Sequence, residues 1–201
     1  EAITWSFIPH EDAQLFGGGA DALELSNPIS TEMSSMRPSL LPGLLTAVQR
    51  NRDRDFADAA LFELGQAYRG ENPEDQYLAA SGVRAGTAKL VGSGRHWDGA
   101  CGEVDVFDAK ADVFAVINAL GLDPNKAQIT RDAPAWFHPG HSATLRLGPK
   151  LVLAHFGEFH PETLKALDVA PPFQGLEHVF AELPPEKRKS RAKAPLDVAD
   201  L

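Results

Sequence analysis

An α+β fold built on an antiparallel sheet flanked by helices is the class that this 201-residue sequence predicts, and three features carry the prediction. Leu61–Tyr68 and Gln76–Ala85 read as strands separated by the turn residues Gly70, Asn72 and Pro73, and Ala143–Leu147 and Leu151–Phe156 read as a second pair joined through Gly148-Pro149. Helical periodicity is confined to a few stretches, with Leu41–Val48 and Val113–Leu120 the clearest. Strands joined mainly as hairpins, with those helices on one face, give the antiparallel α+β class.

In chain order, Ile3, Trp5 and Phe7 alternate with Thr4 and Ser6, the pattern of a strand with one buried face, and Pro9 ends it. His10–Phe16 is expected to form a short helix closed by Gly17-Gly18-Gly19, and Ala22–Leu25 a short strand leading into the Asn27-Pro28 turn. The stretch from Asn27 to Asn51 organises the rest, because turn, strand end and helix start follow one another within it. Arg37 arrives on an extended segment. Ser39 can cap the next helix, and Pro42 falls in its first turn, where a missing amide hydrogen is tolerated. Leu41, Leu44, Leu45 and Val48 share one face, which must be buried, while Gly43 and Ala47 keep the helix slim. Arg50, Arg52 and Arg54 lie near its C-terminal end, where the macrodipole favours cations.

Gly86–Gly102 is glycine-rich and weakly periodic, which predicts an irregular segment with one helical turn near Thr87–Val91. From Asp108, a suitable cap, Val113, Val116, Ile117 and Leu120 share a helical face that Gly121 terminates. Ala127–Arg131 is a further strand. A short helix over Pro161–Leu167 has proline at its permitted first position, Pro171-Pro172 breaks it, and Leu176–Leu183 is the final strand. Residues 1–183 thus form one core domain, and residues 184–201 a basic, proline-containing linker towards a C-terminal domain.

A composition of 43% hydrophobic and 23% charged residues is that of a soluble globular protein, and no apolar run approaches the roughly 20 residues needed to cross a bilayer. A single cysteine, Cys101, excludes an internal disulfide and fits a reducing cytoplasm. Glu1 stands directly before a strand-like segment with no methionine ahead of it, so we expect a piece of a longer protein. The net charge is −9 but uneven. Lys187, Arg188, Lys189, Arg191 and Lys193 against Glu186 give the tail a local +4 and leave −13 on the remainder. An acidic body repels phosphate, so any direct RNA contact is expected through those tail cations, Lys187, Arg188, Lys189 and Arg191 foremost.

Four stretches in order, AITWSFI at Ala2–Ile8, NPIS…MRPSLLPGLL…RN at Asn27–Asn51, LFELGQAYRG at Leu61–Gly70 and FHPGHSATLRLG…FGEFHPETLKALDV at Phe137–Val169, resemble the core of the β subunit of bacterial phenylalanyl-tRNA synthetases. The resemblance spans almost the whole chain. It implies a class II synthetase-like fold without the chemistry, the catalytic copy lying in a partner α subunit, and a heterotetramer that joins phenylalanine to its tRNA with ATP and magnesium. It also implies that the chain starts at the strand following a long interface helix. Ala154 and His155 depart from the glycine and aromatic residue that members often carry there.

An adenylate-forming site of that class needs one arginine on the α-phosphate beside an acid, and a second arginine on a glycine-rich strand–helix junction. Rigid bidentate donors suit arginine to both tasks. Arg69, with Glu71 nearby, stands where the first would be, but after the final strand the chain reads PPEKRKS and offers no second arginine of that kind. No ATP-binding or catalytic residue and no cofactor is therefore expected in this chain. Arg37, Ser39 and Arg69 remain as structural or interface candidates, with Glu158 and His160, which are close enough to pair. His138, His141, His155 and His160 lack the cysteine partners or HExxH spacing of a zinc site, and no metal is expected. His138-Pro139-Gly140 reads as a turn.

The leading reading is a non-catalytic scaffold for the α subunit, in an enzyme that contacts tRNA as a whole, with self-association of the isolated chain as a possible consequence of an uncovered N-terminal edge. Two others compete: a free-standing domain binding an amino acid or nucleotide, and an RNA-binding module working through the tail. Deleting Pro184–Leu201 is expected to shift the melting temperature by less than a few degrees, as for segments poor in buried apolar contacts. A large drop in a calorimetric scan would show that the tail docks on the body.

Overall fold

The computed structural model describes residues 1–87, 95–96, 99–100 and 102–179. The first half contains β1 (Phe7–Ile8), α1 (His10–Leu15), β2 (Ser35–Met36), α2 (Leu41–Arg52), β3 (Ala59–Tyr68) and β4 (Gln76–Ala85). Then come β5 (Arg95–His96), β6 (Gly99–Ala100), α3 (Val106–Ala119), β7 (Gln128–Thr130), β8 (Phe137–Leu147), β9 (Leu151–Phe159), α4 (Pro161–Ala166) and β10 (Phe173–Val179). Six strands form one antiparallel sheet in the order β3-β4-β10-β9-β8-β7, while β1-β2 and β5-β6 are separate two-stranded ribbons. The two sequence-predicted hairpins are the outer part of this sheet and its β8–β9 pair. β10 closes the gap between them.

The β3–β4 hairpin runs unbroken from Ala59 opposite Ala85 to Tyr68 opposite Gln76. Its connection is held by Asn72 and Asp75, each side chain bonding the other's backbone N–H. Side chains alternate across the sheet, which gives two cores rather than one. One face packs Leu41, Leu44, Leu45 and Val48 of α2 against Val83, Phe137, Phe159 and Phe173. The opposite face packs Ala109, Val113 and Ile117 of α3 against Leu145, Ala154, Phe156 and Leu176. The helices therefore lie on both faces, not on one. Arg84 of β4 and Asp112 of α3, joined by two hydrogen bonds of 2.5 and 2.8 Å, fasten α3 to the sheet.

Several local expectations change. Ile3–Phe7 is not a strand with its apolar side buried: only Phe7–Ile8 pairs, with β2, and Ile3 and Trp5 are 92% and 71% exposed. The half-buried side of this segment carries Thr4, whose hydroxyl answers buried charges described below. Gly43 permits that approach, since a Cβ there would come within 2.5 Å of Thr4 Oγ1. Ala22–Leu25 makes a helical turn over Asp21–Leu23 and a single bridge from Glu24 to Ser35. Leu40 rather than Ser39 is the capping position of α2, although Ser39 Oγ still accepts from the Leu41 N–H at 3.1 Å. Asp105, not Asp108, caps α3, and its carboxylate accepts from Phe107 and Asp108 N–H. Leu120, past the end of α3, is exposed.

His138-Pro139-Gly140 is not a turn between elements but lies within β8. Phe137 faces Phe159, and the next paired residue, Ser142, faces Gly157, so extra residues bulge out of β8. Proline and glycine are tolerated there because the bulge needs no ladder bonds. β10 begins at Phe173, earlier than expected, and its far end beyond Val179, the turn at residues 88–91 and the basic tail lie outside the described residues. No described helix is long and apolar enough to cross a membrane.

Leu44 is fully buried between α2 and the sheet. Leu44→Ala should lower unfolding free energy by about 2–5 kcal/mol, through lost transfer energy and the cavity left behind. Urea denaturation of the two proteins measures it, and a near-neutral change would mean that the α2 face is loosely packed.

Candidate functional site

Strand register places an uninterrupted row of polar residues across the sheet. Glu63 on β3 is opposite Ser81 on β4, Ser81 opposite Glu177 on β10, Glu177 opposite His155 on β9, and His155 opposite Thr144 on β8. Directly opposed residues share a face, and Val83, two residues from Ser81, assigns the row to the α2 side. Glu63, Ser81, Glu177 and Thr144 are buried. Buried polar groups demand partners, so the loops over this face are shaped by supplying them.

At the β3 end the partner is Arg37. Its Nη1 donates to Glu63 Oε1 at 2.9 Å and to Thr4 Oγ1 at 2.8 Å, its Nε donates to the Gln66 carbonyl at 3.0 Å, and Thr4 Oγ1 donates to Glu63 Oε2 at 2.6 Å. Gly65 leaves room for the guanidinium, whose Nη2 would lie 2.8 Å from any Cβ there. In the middle of the row, Ser39 Oγ donates to Glu177 Oε1 at 2.5 Å. Burial pushes Glu177 up from the ordinary glutamate value to about 7, against the Ser39 hydrogen bond and the charge of Arg69. Burial also holds His155 down, to about 4, helped by the charge of Arg146, while its Nδ1 lies 2.9 Å from Thr144 Oγ1.

A pocket of about 260 Å³ opens over the middle of the row, beside the chain leading into α2. Glu177, His155 and Ser39 line it from the sheet side, and Phe16, Leu23, Pro38 and Trp136 from the loops. Arg69 also lines it, its guanidinium stacked over Tyr77 with 4.3 Å between the charged carbon and the ring centroid. A larger groove of about 690 Å³ between α2 and α4 carries only exposed charges, among them Arg50, Asp53, Lys165 and Asp168. The smaller pocket is the better candidate site, because it holds the buried and mutually bonded Glu177 and Ser39, although Arg69 on it is exposed.

The sequence and the fold are both matched by known proteins. The model of the phenylalanyl tRNA synthetase beta chain CLM domain covers residues 1–177. The chain belongs to that family. It is 54% identical over 193 residues to the phenylalanine–tRNA ligase beta subunit of Mesorhizobium japonicum, and 50% identical over 202 residues to that of Bartonella henselae. These alignments take in 96% and 100% of this chain but only 24% and 25% of the relatives, so the chain spans about a quarter of their length. In fold it is similar to a pyrrolysyl-tRNA synthetase from Desulfitobacterium hafniense, with a TM-score of 0.59 at 14% identity over 90% of this chain and 58% of that one.

Of the sequence-predicted residues, the structure brings Ser39 and Arg69 to the pocket of this β-chain domain and puts Arg37 in the adjoining buried ion pair. The charge of Arg69 acts on Glu177, and Glu71 is exposed. Glu158 and His160 lie elsewhere and do not pair with each other. Glu158 Oε2 lies 2.7 Å from His141 Nδ1, and His160 Nδ1 accepts the Glu162 N–H at the start of α4. His138 stacks on His141 and His160, yet no group of three metal-ligating side chains comes together among the described residues. Lys187, Arg188, Lys189 and Arg191 fall outside those residues. Sequence reasoning missed Glu63, Glu177, Tyr77 and Trp136 and weighed His155 only as a metal ligand; the signal for Glu177 was a carboxylate in phase with Phe173 and Gly175 on the strand.

The raised Glu177 makes stability depend on pH with a definite sign. Its folded value of about 7 exceeds its ordinary 4.5, so its contribution is intact below about 4.5 and is lost as pH rises to about 7. Glu177→Gln keeps an acceptor for Ser39 and removes the ionisation. Between pH 4 and pH 8 the parent should lose on the order of 3 kcal/mol relative to Glu177→Gln, as read from denaturation curves of both. His155 acts in the opposite sense, losing stability as pH falls from 6.5 to about 4, and cancels in that comparison. Parallel curves at the two pH values would mean that Glu177 is ionised and compensated.

Proposed function

We propose that this chain is a non-catalytic, class II synthetase-like core of a phenylalanine–tRNA ligase β subunit, and that it holds the catalytic α subunit in the assembled heterotetramer. The observation that carries the reading is the charge balance of the pocket. Among the described residues the pocket carries one guanidinium, stacked on Tyr77 and near the buried Glu177, whereas a nucleotide triphosphate requires several cations. ATP, magnesium and tRNA are engaged by the whole enzyme, in the cytoplasm, and the adenylate forms on the α subunit.

The scaffold role is supported by an apolar surface that the described residues leave uncovered. The Ala2 N–H donates to the Phe62 carbonyl at 2.8 Å, which lays the N-terminal segment along β3. Ile3 and Trp5 on that segment are exposed, and Phe62 and Leu64 on β3 are 55% and 54% exposed. Exposed large apolar side chains concentrated on one edge mark an interaction surface. A second reading, amino-acid or nucleotide binding by the isolated domain, has the pocket in its favour but not its charge.

Sedimentation of the purified chain with a bacterial phenylalanine–tRNA ligase α subunit tests this. The expected result is a complex that persists at high salt, that weakens about tenfold or more in Trp5→Ser with Phe62→Ser, as loss of apolar anchors predicts, and whose β chain alone gives no phenylalanine-dependent pyrophosphate exchange. A chain that ignores the α subunit, or that turns over ATP by itself and stops in Arg69→Ala, would overturn the reading.

A further inference from the structure

The register that builds the polar row also brings two of its side chains together at the pocket. Glu177 and His155 are directly opposed on β10 and β9, a placement that sets their Cβ atoms about 5 Å apart. Each is tied at one end only. Ser39 donates to Glu177 Oε1 at 2.5 Å, and Thr144 Oγ1 lies 2.9 Å from His155 Nδ1. Glu177 Oε2 and His155 Nε2 have no hydrogen-bond partner among the described residues, yet neither is sealed from water as the unpartnered Ser81 hydroxyl is. Both atoms therefore open on the pocket that the two side chains line. Polar atoms of buried residues, fixed on one side and free on the other, are the convergent groups that orient a small ligand. Arg69, exposed and already partnered, is no part of this seat.

The two free atoms select the chemistry of what they can hold. Because Oε1 accepts from Ser39, the proton that burial keeps on Glu177 below pH 7 sits on Oε2 and donates into the pocket. A neutral imidazole that donates from Nδ1 to Thr144 accepts at Nε2. A carboxamide answers both, its carbonyl accepting from Glu177 and its N–H donating to His155, and it brings no charge to be desolvated. Phe16, Tyr68, Tyr77 and Trp136 line the pocket beside the pair, and Tyr77 is fixed by its hydroxyl on the Pro38 carbonyl at 2.5 Å. A volume of about 260 Å³ accommodates one ring with a small substituent. We propose that this pocket binds a small uncharged aromatic carboxamide, its ring against the aromatic walls and its amide bridging Glu177 and His155. The site is separate from subunit docking, because the exposed edge at Ile3 and Trp5 does not line it.

Isothermal titration of the purified chain with benzamide and with toluene, at pH 6 and pH 8, decides it. At pH 6 benzamide should bind saturably to one site, and toluene, which has the ring without the amide, about tenfold more weakly or not at all. Benzamide affinity should fall about tenfold from pH 6 to pH 8, following the share of Glu177 still protonated around its value of about 7. His155, at about 4, stays neutral across that window. Glu177→Gln keeps an acceptor for Ser39 and a donor for the ligand but cannot ionise, so it should bind benzamide within about threefold of the parent at pH 6 and show no such fall. That flat profile separates Glu177 from Arg69, Tyr68 and Tyr77, the other charged or titratable groups on the pocket. His155→Leu should weaken benzamide about threefold to tenfold. No saturable benzamide binding by the parent would overturn the proposal, as would equal binding of toluene, or a parent affinity equal at the two pH values. A Glu177→Gln chain that keeps the parent's pH dependence would overturn it too. Should that variant fail to fold, the ligand ranking and the pH profile of the parent still decide.

Discussion

A guanidinium and a carboxylate that are both shut away from water tie three parts of this chain together. Arg37 reaches Glu63 and Gln66 on β3 and Thr4 on the N-terminal segment, while its own backbone N–H and carbonyl meet Ser6 and Tyr68. Desolvating such a pair is expensive, and removing one partner leaves a buried charge worth about 3–5 kcal/mol of destabilisation. The pair is tolerable because Nε and Nη1 of Arg37 and both Glu63 oxygens are engaged. What it contributes in return is position. The segment leading into α2 cannot shift along β3 without breaking several charge-assisted bonds, so the pocket beside that segment inherits a fixed rim.

The remaining row follows the same logic with weaker partners, except at Ser81, whose buried hydroxyl has none among the described residues. Glu177 has Ser39, and His155 has Thr144, and both titrating groups are kept neutral around pH 6 by burial. Apolar packing surrounds the row on the α2 side, with Leu41, Leu44 and Phe173 among its members, and the other face of the sheet is apolar under α3. A polar stripe inside an apolar layer weakens the layer, and it survives only where the chain above is shaped to it. Such a compromise is expected at sites of function or of assembly rather than in an ordinary core.

How far the sequence reveals this depends on whether the information is local. The β3–β4 hairpin and the face of α2 were legible because turn residues and a helical period state them within a dozen residues. The start of β8 was not, since His138-Pro139-Gly140 carries turn residues that here make a bulge. Arg37, Ser39 and Arg69 stood out by residue type, though their partners did not. Glu63, Ser81, Glu177 and His155 are far apart in sequence, and only strand register, which a one-residue slip would destroy, brings them into line.

The same slip explains a place where the hydrophobic pattern pointed the wrong way. Shifting the N-terminal segment by one residue would turn Ile3 and Trp5 inward and Thr4 outward, the arrangement that apolar burial alone prefers. It would also strip the Thr4 hydroxyl from both Arg37 and Glu63, where no aliphatic or indole side chain could replace it. A buried ion pair left incomplete costs more than the burial of one half-covered side chain returns. The polar contact therefore sets the register, and the apolar side of the segment is left facing out, next to Phe62 and Leu64. Under the proposed docking, that outward side is where the α subunit completes the burial that this chain gives up in order to keep Arg37 and Glu63 paired.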